Sequence, residues 1–288
     1  MIRCLLLVGL CFAATVAPGS VQAAFPGSNG KIVFTRLSGG DADVFIMRRD
    51  GSRKKNLTPH SVGSDGSPAF SANGRKVVYV HNGLITAKRV DGTRRRLLNV
   101  RGQSPTFSPN GRHILFARER KGIFLMRADG SDVTKLWSVH PFGGELVEAP
   151  TFSPDGTKVA FSWFNPDTRD IVVGDFANGE LTNTSRVTAD ISLDFFCTRP
   201  NFSPDSLRIV YERYKATTPY RSAWLMDLDG SNQQNLTPSG NGDPAFSPNG
   251  KKVVFSTSGS IAVIGIDGTN PVSLGRGSEP DWGSARAN

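Results

Sequence analysis

The chain has 288 residues, 38% of them hydrophobic and 9% aromatic. Such a chain can bury a core, which excludes an intrinsically disordered polymer, and its 31 Gly and 18 Pro favour many turns over long helices. The formal net charge of +9 makes nucleic acid, anionic lipid and acidic glycopolymers the partners to consider first.

The first 23 residues have the layout of a secretory signal peptide. Arg3 is their only charged side chain, an apolar run covers residues 4–14, and small residues precede a cleavage site predicted after Ala23. No later stretch approaches the roughly 20 apolar residues that a membrane-spanning helix needs. We therefore expect residues 24–288 to be periplasmic or secreted, without a transmembrane span, and nucleic acid becomes an unfavoured partner.

Cysteine content agrees with a chain that folds without disulfides. Cys4 and Cys11 leave with the predicted signal peptide, so only Cys197 remains in the mature chain. No partner motif surrounds Cys197, which favours a buried structural thiol over a nucleophile.

A phrase of the form Pro-x-Phe-Ser-Pro-Asp/Asn-Gly-x-Lys/Arg-Ile/Val-x-Phe/Tyr repeats along the mature chain. Its five copies begin at Pro68, Pro105, Pro150, Pro200 and Pro244. Residues 28–34 carry the second half of the phrase, and residues 280–282 carry the first half. We interpret these partial copies as one unit split between the two ends of the chain.

A turn pair separates successive copies of the phrase. These pairs are Asp50-Gly51, Asp91-Gly92, Asp129-Gly130, Asn178-Gly179, Asp229-Gly230 and Asp267-Gly268. Asp-Gly and Asn-Gly accept the positive φ angles of tight hairpins, so each pair is expected to join two antiparallel strands. Six pairs indicate six units.

Each unit can be divided into four short strands, and such units of about 40 to 50 residues are typical of propellers. The sequence thus predicts an all-β fold, a six-bladed propeller with four-stranded antiparallel blades, as a single domain over residues 24–288. Residues 280–282 should supply the innermost strand of the blade that begins at Ser28, which would close the ring.

The repeated phrase resembles the WD-repeat-like unit of TolB-like propellers over essentially all of residues 28–283. The resemblance implies a six-bladed propeller of the cell envelope that mainly holds another protein. It covers the propeller portion only, because TolB proteins carry a separate amino-terminal domain and here the repeats begin close to the predicted mature end. Similar propellers also precede serine peptidase domains.

The search for catalytic motifs favours structural explanations. The segment Ser153–Gly156 is similar to a sialidase Asp-box, but a turn between strands explains it better. The sequence lacks a Gly-x-Ser-x-Gly elbow, a Cys-x-x-Cys pair and a phosphate-binding glycine loop. His60 and His140, with Glu145 and Glu148 nearby, form a conceivable metal site without fixed ligand spacing. We predict no catalytic residue, metal or cofactor.

The residue before each repeat proline should approach the channel mouth, where the innermost strands converge. The predicted binding residues around this mouth are Asp65, Glu148, Asp194, Arg199, Asp243 and Glu279. Their mostly acidic character fits two interpretations: ordinary polar loops, or a docking site for a cation, an amine or a basic peptide.

Longer connections and an uneven charge distribution mark further surfaces. The connections 138–148, 182–198 and 214–221 contain aromatic residues that suit either an interface or packing against blade edges. Residues 24–135 hold 21 Lys and Arg against 8 Asp and Glu. Clusters at 53–55 and 94–96 supply much of this excess, which we attribute to protection of outer strands from aggregation, with envelope polyanions or anionic headgroups as the second explanation.

Together these features predict an exported, non-enzymatic binding or scaffold propeller. Its expected partner is another envelope or extracellular protein, and the chain itself is expected to be monomeric. The alternative is a propeller enzyme, a lyase or hydrolase, with its site at the channel mouth.

Overall fold

The computed structural model describes residues 26–59, 62–139, 145–189, 194–215, 217–218, 220–238 and 240–285. The secondary structure of these residues consists of β-strands joined by turns, without an α-helix. Accordingly, no helix in the described ranges is long and apolar enough to cross a bilayer.

Twenty-four strands follow one another along the chain. The first twelve are β1 (Asn29–Ser38), β2 (Asp41–Met47), β3 (Lys55–Asn56), β4 (Asp65–Phe70), β5 (Lys76–His81), β6 (Leu84–Arg89), β7 (Arg96–Arg101), β8 (Gln103–Phe107), β9 (His113–Arg118), β10 (Gly122–Arg127), β11 (Thr134–Trp137) and β12 (Leu146–Phe152). The second twelve are β13 (Lys158–Phe164), β14 (Arg169–Ala177), β15 (Glu180–Arg186), β16 (Phe195–Phe202), β17 (Arg208–Lys215), β18 (Arg221–Asp227), β19 (Gln234–Asn235), β20 (Gly242–Phe246), β21 (Lys252–Thr257), β22 (Ser260–Gly265), β23 (Val272–Arg276) and β24 (Ser278–Ser284).

The strands form six four-stranded antiparallel sheets, so the predicted six-bladed propeller is confirmed. Blades 2 to 6 are β4–β7, β8–β11, β12–β15, β16–β19 and β20–β23. Blade 1 has the order β24-β1-β2-β3, with Trp282 of β24 opposite Ile32 of β1. The two ends of the chain therefore share one sheet, and the ring closes as the split phrase predicts.

The hydrophobic core lies between neighbouring blades. Six clusters of buried residues fill the six interfaces, and the cluster between blades 6 and 1 contains Val254, Ile261, Phe34 and Trp282. Alternate residues of a strand face opposite sides of its sheet, so the two faces of each blade pack on different neighbours. Each blade depends on the next for burial, and the ring is the smallest complete core.

The serine of the repeated phrase has a structural role at the turn between the first and second strands. Its hydroxyl accepts a hydrogen bond from the amide five residues later, as between Ser153 Oγ and Lys158 N at 2.9 Å. Its own N–H donates to the carbonyl of Lys158, also at 2.9 Å. Asp155 Oδ1 accepts from Thr157 N within the same turn. The segment Ser153–Gly156 is thus a turn between β12 and β13.

Candidate functional site

The innermost strands of the six blades enclose a narrow channel of about 150 Å³. Each strand contributes to its wall the residue that precedes the repeat proline. These residues are Ser67, Ser104, Ala149, Arg199, Asp243 and Glu279. Three of the predicted mouth residues, Arg199, Asp243 and Glu279, are therefore brought together.

Each of these pre-proline residues has a left-handed backbone conformation, with φ from 46° at Ser104 to 56° at Arg199. Each also lies at a break in the pairing of the innermost strand with its neighbour, such as the break between Gly66 and Ala69. Such a bulge disrupts the ladder locally and bends the strand. The backbone N–H is then available for bonds outside the sheet.

Four of these N–H groups donate to side chains of the preceding blade or of the neighbouring mouth residue. The bonds are Arg199 N to Ser162 Oγ (2.8 Å), Asp243 N to Glu212 Oε2 (3.2 Å), Glu279 N to Ser256 Oγ (3.3 Å) and Ser67 N to Glu279 Oε2 (2.8 Å). Ser162, Glu212 and Ser256 occupy the same repeat position, directly after the aromatic residue of the second strand. Val80 and Ala117 hold that position in blades 2 and 3 and cannot accept a hydrogen bond. These bonds link the mouth from blade 4 through blades 5, 6 and 1 to blade 2.

A cluster of charged residues is built around Glu212, whose side chain has no exposed surface. Arg221 Nη1 donates to Glu212 Oε1 at 2.5 Å, and Arg199 Nε lies 3.9 Å from Glu212 Oε2. Arg199 Nη1 also donates to Asp243 Oδ1. The other oxygen of Asp243 accepts from Ser256 Oγ at 2.6 Å. Asp243 and Glu212 thus have cationic partners within the protein.

Electrostatics at the cluster follow from burial and from these pairings. Burial raises the pKa of Glu212, although Arg199 and Arg221 act in the opposite direction. Burial disfavours the charged form of Arg199, but Asp243 and Glu212 outweigh it and raise the pKa of Arg199. Arg199 is consequently a permanent cation at the centre of the mouth, flanked by carboxylates.

Asp281 introduces a titratable group into the channel wall, one residue after the proline of the split copy. Its Oδ2 accepts from Phe70 N of blade 2 at 2.7 Å. Burial raises the pKa of Asp281 to about 6. Asn201 has the same position in blade 5 and accepts from Phe246 N at 3.0 Å.

A second cavity, of about 340 Å³, opens beside the mouth and is lined by Glu148, Arg169, Arg199, Tyr214 and Arg221. Arg169 Nη1 donates to the hydroxyl of Tyr214 at 2.5 Å. The Arg169 guanidinium also lies 4.6 Å from the centroid of the Phe196 ring and 5.2 Å from that of Phe164. These cation–π contacts orient Arg169 in the cavity wall.

The other predicted mouth residues lie outside the channel wall. Asp65 is fully buried, and its Oδ1 lies 2.7 Å from Nδ1 of His81 on the paired strand. Glu148 lines the second cavity. Asp194 is exposed at the start of blade 5 and lines neither the channel nor that cavity.

The candidate metal site cannot be assembled from what the structure describes, because His60 and His140 lie outside the described residues. Within the described ranges, no group of three or more His, Cys, Asp or Glu side chains is placed to hold a metal ion. Cys197 is buried with its thiol uncharged, since burial raises its pKa to about 12.

Of the long connections, 138–148, 182–198 and 214–221 are described only in part. Phe195 packs 4.1 Å from the guanidinium of Arg213, and Phe196 packs edge-on against Tyr214 at 5.5 Å. Both residues belong to β16, and their rings pack on side chains of β17 within the same blade. Tyr220 is 62% exposed, and Phe142 lies outside the described residues.

Sequence reasoning missed Glu212, Arg169 and Arg221. A signal for Glu212 exists, since it is a carboxylate at a repeat position where the other five units carry Thr35, Val80, Ala117, Ser162 or Ser256. A charge at a position that the fold buries requires a partner. Arg169 and Arg221 lie at strand starts, where the repeated phrase does not indicate which way a side chain points.

Comparisons with known proteins agree with this architecture. No protein-family model matches the chain. The Tol-Pal system protein TolB of Francisella tularensis subsp. mediasiatica (strain FSC147) is 27% identical over 238 residues, which cover 75% of this chain and 52% of the relative. The chain thus spans about half the length of the curated TolB relatives that it matches.

Solved structures show the same fold. TolB from Acinetobacter baumannii superposes with a TM-score of 0.72 at 24% identity, covering 91% of this chain and 68% of that one. Oligogalacturonate lyase from Vibrio parahaemolyticus has a TM-score of 0.58 at 12% identity, covering 88% and 77%. In fold and in repeat sequence, the chain is a TolB-like six-bladed propeller.

Proposed function

We propose that this chain is an exported, non-enzymatic propeller of the cell envelope that binds another protein at its channel mouth. The observation that carries the proposal is the arrangement of Arg199, Asp243 and Glu279, three charged residues at a convergent opening. Their side chains are positioned by hydrogen bonds between blades, so a partner would meet a largely preformed surface. The similarity to TolB proteins supports a binding role.

The chemistry of the mouth favours a polar partner segment. Arg199 is a fixed cation between Asp243 and Glu212, and Glu279 accepts from Thr35 Oγ1 at 2.8 Å. The charged pre-proline residues that line the channel are one cation, Arg199, and two carboxylates, Asp243 and Glu279. A partner segment that carries both signs of charge would be recognised by orientation as well as by affinity. Residues 1–23 would direct export, and the exported chain is expected to begin at Ala24.

Site-specific photo-crosslinking tests this proposal. Gln103 is exposed beside the mouth, whereas Asn110 is exposed in the turn beyond the other end of the same strand, β8. With a photoreactive residue at position 103, irradiated cells should yield a discrete crosslinked protein that mass spectrometry identifies. The variant with the same residue at position 110 is the matched control. Equal crosslinking at both positions, or none at 103, would contradict binding at the mouth.

An enzyme with its site at the mouth remains the competing function, as in the oligogalacturonate lyase that shares the fold. The two functions differ in an observable way. A metal-dependent enzyme would retain a stoichiometric metal ion after purification and would lose it in Asp243→Ala or Glu148→Ala. Elemental analysis of the purified protein and of both variants measures this directly.

A further inference from the structure

The outer edge of blades 1 and 2 carries a concentrated positive charge. It comprises Arg53, Lys54, Lys55, Lys88, Arg94, Arg95 and Arg96, here called the basic edge. All of these residues except the half-buried Lys88 are exposed. Among the described residues, no carboxylate lies within ion-pair distance of any of the seven.

Lysines from the two blades cross the seam between them. Lys55 of blade 1 donates to the carbonyl oxygen of Asp91 in blade 2 at 2.9 Å. Lys88 of blade 2 donates to the carbonyl oxygen of Leu57 in blade 1 at 2.5 Å. Carbonyl partners fix the position of an ammonium group without neutralising its charge. The basic edge is therefore continuous across the seam.

The nearby carboxylates are occupied within their own turns. Asp50 Oδ1 accepts from Ser52 N at 2.9 Å, and Asp91 Oδ1 accepts from Thr93 N at 2.8 Å. Asp91 also pairs with Arg89 at 3.2 Å. These carboxylates stabilise the hairpins. Asp65 acts electrostatically on Lys88 and Asp129 on Arg96, so the charge of the seven cations is reduced but stays in excess.

The cations of the basic edge are close enough to repel one another. Burial lowers the pKa of Lys88, and the positive charges of Arg95 and Lys55 lower it further, whereas the negative charge of Asp65 opposes them. A bound anion would relieve this repulsion, so part of the cost of assembling the cluster would be recovered on binding.

Residue type sets Arg53 and Arg94 apart from counterparts in other blades that share their backbone conformation. Both have φ of 50°, in the left-handed region. The equivalent positions, three residues after the Asp of the turn pair, hold Asp132, Asn232 and Asn270, with φ of 52°, 52° and 54°. Asn and Asp tolerate this conformation much better than Arg does. Arginine at these two positions therefore adopts a backbone conformation that it disfavours, which is common for functional residues.

We propose that the basic edge binds a linear anionic polysaccharide that runs along the rim from blade 1 to blade 2. The rim of a ring is convex, so a flat bilayer would meet one blade at a time, whereas a flexible chain can follow both. Protection of strand edges is the alternative explanation, but charge is not common to all outer strands, since β19, Gln234–Asn235, has no charged residue.

Two double variants test the proposal with a heparin octasaccharide as the probe. Arg53→Asn with Arg94→Asn removes two charges and installs the residue found at Asn232 and Asn270. Lys251→Gln with Lys252→Gln removes two exposed charges from blade 6 and is the matched control. Affinity is measured by titration calorimetry at several salt concentrations, and folding by thermal unfolding.

The unmodified protein should bind heparin with an affinity that falls steeply as salt rises. The Arg53/Arg94 variant should bind heparin at least roughly tenfold more weakly, because each cation close to an anionic surface raises the affinity severalfold. Its salt dependence should be shallower, and its melting temperature unchanged or higher. The control should bind as the unmodified protein does.

Three results would overturn the proposal. Equal loss of affinity in the control would show a non-specific charge effect. Tighter association with vesicles containing one third phosphatidylglycerol than with heparin would identify a membrane surface instead. Aggregation of the Arg53/Arg94 variant without loss of heparin affinity would assign the basic edge to protection of the outer strands.

Discussion

Asp281 makes folding stability depend on pH through one side chain. An Asp in an unfolded chain titrates near pH 3.9, whereas burial raises the pKa of Asp281 to about 6 in the folded protein. The folded state therefore holds this proton more tightly. The resulting contribution to stability is complete below about pH 4 and is lost as the pH rises through about 6.

Asp281→Asn should remove that loss. Asparagine stays neutral and can accept from Phe70 N, as Asn201 accepts from Phe246 N. At pH 7.5 we expect the free energy of unfolding to rise by roughly 2 to 3 kcal/mol over the unmodified protein, with little difference at pH 4. Urea unfolding at both pH values measures the change. An equal change in the free energy of unfolding at the two pH values would show that titration of Asp281 is not its cause.

Individual site residues could be predicted from sequence only where the repeat defines them. The pre-proline positions of the repeat predicted Arg199, Asp243 and Glu279, which all line the channel. Asp65 precedes the bulged residue Ser67 by two positions, and its partner is His81 on the next strand. Glu212 depends on contacts to two arginines and to a neighbouring blade. Such partners are a property of the folded ring and leave no local signature.

At the scale of the element, the bulge in each innermost strand is the feature that shapes the mouth. The residue before a proline normally favours an extended conformation, yet all six pre-proline residues are left-handed. Hydrogen bonds between blades stabilise this conformation at Arg199, Asp243, Glu279 and Ser67. Local propensity therefore predicted the strands and their turns, but tertiary bonding set the bulges.

Ala149 tests how much strain the bulge stores. Its φ is 48°, and an L-residue in this region costs roughly 1 to 2 kcal/mol. Glycine avoids this cost but loses more backbone entropy on folding. Ala149→Gly should therefore raise the free energy of unfolding by about 0.5 to 1 kcal/mol. Ala160→Gly, in the regular part of β13, is the matched control and should destabilise by about 1 kcal/mol. Urea unfolding of both variants shows whether the free energy of unfolding rises or falls in each. Destabilisation by Ala149→Gly would mean that the bulge is unstrained.

At the scale of the whole molecule, the split copy of the repeat made ring closure predictable. Two halves of the phrase at opposite ends of the sequence can form one complete unit only if they pair, and β24 does pair with β1. The polar links around the mouth could not be predicted in the same way. The bond from Thr35 to Glu279 joins residues 244 positions apart, and nothing in either local sequence specifies its partner.

Closure by β24 should decide whether the ring folds cooperatively. This strand buries Trp282, which is 2% exposed, against blades 6 and 1. It also supplies Glu279 and Asp281, which accept from the amides of Ser67 and Phe70 in blade 2. Its loss would expose one edge of β1 and leave two amides of blade 2 without their acceptors, so instability should spread beyond blade 1.

Deletion of residues 277–288 is therefore expected to broaden the urea unfolding transition and to lower its midpoint well below that of the intact chain. A synthetic peptide of residues 277–285 added in trans should restore a single transition, because it replaces both the strand and its acceptors. The same peptide with Trp282→Ala is the control and should restore less, since loss of a large buried aromatic costs about 3 to 5 kcal/mol. Unfolding of the truncated chain at the midpoint of the intact protein would show that the blades are stable without closure.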